Sequence, residues 1–215
     1  MNYELWIMAG VAFVLPKIPI IGKFFNIINT AIHELGHVLM TLLIDGKVHK
    51  IELFGDSSGV TVTQSKSKFG SFLIALAGYP FAAVVGWMLL FMNSIGYENG
   101  VVIGLPLLFL IMLILWIRNV YGVIWTLLFV SLNAFLIYYN NQKWIDMAAH
   151  FYAIAIVIES LSSSLVILYL SLFRSDNAGD AANLHKITHI PTFFWGMLFC
   201  AFSVFMGYWC WKLVV

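Results

Sequence analysis

Charge is scarce in this chain. Eleven Lys and Arg and ten Asp and Glu make up only 10% of its 215 residues, against roughly 25% in soluble domains. The signs nearly cancel, at +1 overall, and no basic tract occurs, so nucleic acid is not an expected partner. Cysteine is scarcer still: Cys200 and Cys210 both lie in the last apolar stretch, on different faces of any helix. They read as small buried hydrophobes, and neither a disulfide framework nor a cysteine metal site is expected. No internal repeat, low-complexity tract or domain-sized polar insertion interrupts the chain, so residues 1–215 are expected to form one integral membrane domain. The opening Met1-Asn2-Tyr3-Glu4 has no basic region, and no small-residue cleavage site follows. The first apolar segment is therefore expected to stay in place and act as its own insertion signal.

Apolar residues fill the space that charge vacates. They make up 62% of the chain, against about 45–50% in soluble domains. The expected fold class is an all-α polytopic membrane protein of about six to seven segments, with a small β-hairpin at the membrane surface. The segments are read at 5–22, 24–44, 69–92, 101–117, 119–139, 147–173 and 191–213. Pro16 and Pro19 are expected to end the first helix near Leu15. Arg118-Asn119 is the tight break between the fourth and fifth segments. Residues 47–64 differ in kind: apolar Val48, Ile51, Leu53, Val60 and Val62 are spaced among polar residues, around a turn at Gly55-Asp56-Ser57-Ser58-Gly59. That pattern predicts a hairpin, whose edge is one place for an extended substrate strand to bind. Pro80 falls inside the third segment and reads as a kink, or as backbone facing a cavity.

The chemistry concentrates at Thr30-Ala31-Ile32-His33-Glu34-Leu35-Gly36-His37-Val38. Residues four apart share a helix face. His33 and His37 can thus present two imidazoles to one metal ion, with Glu34 placed to act on a metal-bound water. The bland alternative is a solvated polar face, but the flanking residues are almost all apolar, and ionisable groups in such a setting mark functional sites. Catalytic Zn²⁺ takes three protein ligands. The candidates for the third are Asp180, Asp176, Glu159, His185, His189 and Asp56. The polar island 174–190 is favoured, because it can fold back on the end of the motif helix. For Asp176 and Asp180 the alternative is helix capping. For Glu159, inside an apolar span, it is a protonated carboxyl bonded to a neighbouring helix. His185 and His189 are also four apart and could clasp a metal, or simply form a polar face.

Four blocks resemble the peptidase M50B-like branch of the site-2 protease class of intramembrane zinc metalloproteases. They are His33-Glu34-Leu35-Gly36-His37, the segment from Asp45-Gly46 to Val60-Thr61, Ala77-Gly78-Tyr79-Pro80 with Gly86, and Gly179-Asp180-Ala181-Ala182-Asn183-Leu184 followed by Thr188-His189-Ile190-Pro191 and Trp195. The resemblance spans most of residues 30–200. It implies Asp180 as the third ligand beside His33 and His37, with Asp176 in reserve, Zn²⁺ as cofactor and Glu34 as general base. One departure stands out: better-studied members carry this aspartate within a helix, whereas here it is expected in a polar turn that enters a short helix. The implied activity is hydrolysis of peptide bonds in or beside the bilayer, on a membrane protein or peptide substrate. The alternative is a zinc-binding scaffold or transporter that keeps the motif. A bacterial plasma membrane is the expected location. Lys and Arg are richer on the side holding residues 47–68 and 174–190, which makes that side cytoplasmic by the positive-inside rule.

Overall fold

The computed structural model describes Gly10, Val14, Ile18 and residues 21–214. The expected first segment, and the expected insertion signal within it, lie almost wholly outside the described residues. The described chain is α1 (Ile21–Leu43), β1 (Lys47–Leu53), β2 (Gly59–Gln64), α2 (Lys68–Ser94), α3 (Glu98–Leu115), α4 (Val120–Tyr139), α5 (Gln142–Phe173), α6 (Gly179–Thr188) and α7 (Thr192–Val214). Five of these helices, α2 to α5 and α7, are long and apolar enough to cross a membrane. The protein is therefore a multi-pass membrane protein. Helix α1 has the length, at 23 residues, but Asn26, Asn29, His33, Glu34 and His37 dilute its hydropathy.

Local chemistry sets the element ends. Helix α1 closes where Asp45 takes a left-handed backbone and the Gly46 N–H donates to the Thr41 carbonyl at 2.8 Å. The Ser67 hydroxyl caps α2 by accepting from the Gly70 N–H. Asn141 caps α5 in the same way through Trp144. Helix α2 runs unbroken through Pro80. Between α3 and α4 the Arg118 guanidinium donates to the carbonyls of Leu113, Ile114, Leu115 and Ile117, at 2.6–3.1 Å. One side chain thus satisfies the carbonyls that the end of α3 leaves without partners.

The hairpin pairs Lys47 with Gln64 and Leu53 with Gly59, and carries an irregularity between Val48 and Lys50. It runs back along α1 and does not stand free. The outer edge of β1 joins the α3–α4 junction: the Ile51 N–H donates to Trp116 O at 2.8 Å, and the Arg118 N–H donates to Ile51 O at 3.0 Å. Asn119 completes the join, accepting from the Leu53 N–H at 3.1 Å and donating to Leu53 O at 2.5 Å. Ile51 and Leu53 are fully buried beneath it.

Two apolar clusters hold the helices. The larger unites α1, the hairpin and α2 to α5 around Phe109, Trp125, Phe129 and Tyr152. The smaller packs Ala178, Ala181, Ala182 and Leu184 of the α6 region against Ala75, Ile167 and Phe199. This second cluster fixes where α6 starts, and Asp180 sits in its first turn.

Candidate metal centre

His33 and His37 face the same side of α1, and Asp180 meets them from α6. Asp180 Oδ2 lies 3.2 Å from the Nε2 atom of each histidine. The two Nε2 atoms are 3.1 Å apart. Two zinc ligands at about 2.0–2.1 Å from a tetrahedral ion stand about 3.3 Å from each other, so this spacing suits a metal. The polarity of the atoms argues the same way. His37 Nδ1 lies 2.7 Å from the Ile74 carbonyl, which takes the ring proton and leaves a lone pair on Nε2. That lone pair then faces a carboxylate oxygen, an arrangement that only a cation or a shared proton makes favourable. Among the described residues this group has three members.

Backbone proximity builds the site. At Gly78, on α2, an added Cβ would lie 2.5 Å from His33 Nε2 and 2.7 Å from His37 Nε2. Only glycine lets α2 pass this close behind the two rings. Tyr79 then lies edge-to-face on His33, with ring centroids 4.6 Å apart, and stacks on Phe199 of α7 at 4.7 Å. Burial alone would raise the Asp180 carboxyl, but in the metal-free site a proton shared with the His37 ring supplies positive charge and, with the hydrogen bonds from both histidines, outweighs burial and holds Asp180 well below the usual carboxylate range.

Glu34 is buried one step round α1 and turns to the hairpin. The Thr61 hydroxyl donates to Glu34 Oε2 at 2.5 Å. At Gly59 an added Cβ would lie 2.8 Å from Glu34 Oε1, so a side chain there would displace the carboxylate. The Thr30 hydroxyl donates to Ser57 O at 2.8 Å and ties the hairpin tip to the same helix. Glu34 and the three clustered residues line one cavity of about 660 Å³, together with Asn29, Tyr79, Glu159 and the inner side of β2.

The other candidates fall elsewhere. Asp176 is exposed on the short 3₁₀ turn Ser175–Asn177. Asp56 is exposed at the hairpin tip, where hydrogen bonds from Ser58 hold its carboxyl low. His185 and His189 do not form a pair: His189 takes the left-handed position that ends α6, and His185 Nδ1 lies against Ile190 O at 2.8 Å. Glu159 lines the cavity but stays outside the three-residue group, and its carboxyl makes no hydrogen bond or ion pair with the described residues. The expected bond to a neighbouring helix is therefore absent there. Gly179 and Asp180, expected in a turn entering a short helix, open α6, with Asp180 in its first turn. Sequence reading places Gly59, Thr61, Gly78 and Tyr79 within the family-like blocks, and the backbone around residues 78–80 as a candidate cavity lining; the contacts of Gly59 and Thr61 with Glu34, and of Gly78 and Tyr79 with the histidines, emerge only in the fold.

The model of the family described as Peptidase M50B-like matches residues 5–210. The chain belongs to that family. The match takes in every element of this M50B-like chain that contributes to the site, from α1 to the greater part of α7. Comparison with the curated proteins and with the solved structures gives no match.

Proposed function

We propose that this M50B-like chain is a zinc-dependent intramembrane endopeptidase of the site-2 protease type, acting on membrane-embedded or membrane-proximal protein or peptide substrates. The observation that carries the reading is the convergence of His33, His37 and Asp180 beside Glu34 in one cavity. These three residues would hold the ion. When bound, zinc supplies a Lewis acid for the scissile carbonyl and lowers the pKa of water from 15.7 to about 7. Glu34, held by Thr61, takes the water proton and delivers it to the leaving amine. Among the described residues three ligands cluster, rather than four, which favours an open catalytic position over a closed structural site.

The hairpin supplies a place for the substrate backbone. Ile51 and Leu53 turn their main-chain groups outward, to Trp116, Arg118 and Asn119. Their partners across the ladder, Thr61 and Gly59, accordingly turn theirs away from β1, along the edge of β2. Gly59, Val60 and Thr61 also line the cavity. An extended peptide that pairs with this edge would run past Glu34. The excess of Lys and Arg at this end of the molecule supports a cytoplasmic orientation for it, and a bacterial plasma membrane is the proposed location.

The test is metal content and cleavage measured together on detergent-purified protein. About one zinc per chain is expected, lost in His33→Ala and in Asp180→Ala. Glu34→Gln should keep the zinc and lose hydrolysis of a quenched-fluorescent transmembrane peptide. Zinc retained in both ligand variants, or cleavage by Glu34→Gln, would refute the mechanism.

A further inference from the structure

The cavity continues past the three clustered residues, towards the interior of the helix bundle. Its direction follows from which residues face one another. Gly78 of α2 faces His33 and His37, while Gly86 faces Ile156 and Val157 of α5. Ala75 clusters with Ile167, so α2 and α5 run antiparallel. Glu159 therefore lies about one turn from the Gly86 level, on the way to the histidines. On α1, His33 faces Gly78 and His37 contacts Ile74, so Asn29 lies about one turn, roughly 6 Å, to the inner side of His33. Asn29 and Glu159 both line the cavity. They form its floor, inward of the metal-ligand cluster.

Asn29 is 5% exposed, and its Oδ1 is closed off from the cavity, so Asn29 shapes the floor without offering it an acceptor. The Glu159 carboxyl has no partner among the described residues. Lys186, the one Lys or Arg among the described residues that line the cavity, is exposed on α6 and forms no ion pair with Glu159. A carboxyl inside an apolar span, facing a cavity and lacking a partner, is a binding group awaiting a ligand. We infer that Glu159 heads a subsite that receives a Lys or Arg side chain of the peptide substrate. The long apolar stem of such a side chain lies along the wall of the cavity, and its donors meet the Glu159 carboxylate at the floor.

The inference rests on the protease reading, and the experiment separates the two. The probes are transmembrane peptides of about 20 residues, identical except that one central position, scanned along the peptide, is Lys, Arg, Gln or norleucine. Binding is read by fluorescence anisotropy on zinc-loaded Glu34→Gln protein, and cleavage on zinc-loaded wild type. A Lys or Arg at one position should improve both binding and kcat/KM by at least about tenfold over norleucine and Gln. In Glu159→Gln that preference should disappear, with zinc content retained. Cleavage without any preference for a basic residue, or a preference that survives Glu159→Gln, would overturn the subsite and leave the protease reading standing. Selective binding that Glu159→Gln abolishes, without cleavage by the wild type, would uphold the subsite and overturn the protease reading. Neither selective binding nor cleavage would overturn both.

Discussion

At the scale of single residues the site depends as much on what is missing as on what is present. Gly78 carries no side chain, and that lets α2 pass behind His33 and His37. Gly78→Ala introduces one methyl group into a space where the nearest ring atoms are 2.5 Å away. The rings must turn or α2 must retreat, and either motion spoils the ligand geometry. Zinc content should fall severalfold or more in this variant, while circular dichroism still reports a helical protein. Full zinc occupancy in Gly78→Ala would show that the close approach is not needed.

Elements were readable in the sequence to different degrees. The hairpin was legible because Val48, Ile51, Leu53, Val60 and Val62 are spaced around a Gly-Asp-Ser-Ser-Gly turn, and the strands fall within residues 47–64 as expected. The Arg118-Asn119 break was legible as a boundary. Its purpose was not, because a bond from Asn119 to Leu53 joins residues 66 positions apart. The H-E-x-x-H face was local and plain. The approach of Asp180 to that face depends on Ala178, Ala181 and Leu184 nesting against α2, α5 and α7, and a short polar segment does not announce such packing. The holding of Glu34 by Thr61 is hidden for the same reason. A prediction follows for the hairpin. Asn119→Ala removes both of its bonds to Leu53, each worth about 0.5–1.5 kcal/mol net. Amide exchange across residues 47–64 should quicken by about five- to 150-fold, with the transmembrane helices unaffected. Unchanged protection would mean that the Ile51 bonds and α1 alone retain the hairpin.

For the molecule as a whole, helix length is the informative quantity. Helices α3 and α4 have 18 and 20 residues, or about 27–30 Å, the thickness of a hydrocarbon core. Helix α5 has 32 residues, or about 48 Å. The Asn99–Gln142 hydrogen bond aligns the turns at the far end, so the surplus length of α5 projects at the site end. There the short pair stops against Ile51 and Leu53, whose neighbours in β2 touch Glu34. In a background with Cys200→Ala and Cys210→Ala, a cysteine at Ser58 should react readily with a membrane-impermeant maleimide in opened membranes. One at Leu107, half-exposed on the outer face of α3, should not. Equal labelling of the two would contradict this stagger.

The stagger has a bearing on supply. Every turnover of a hydrolase consumes a molecule of water, and lipid is a poor conduit for it. Because α3 and α4 stop short while α2 and α5 continue, the serines and threonines of the hairpin stand on a step at the mouth of the cavity. Under the proposed protease reading, solvent would reach the cavity over that step without crossing oil.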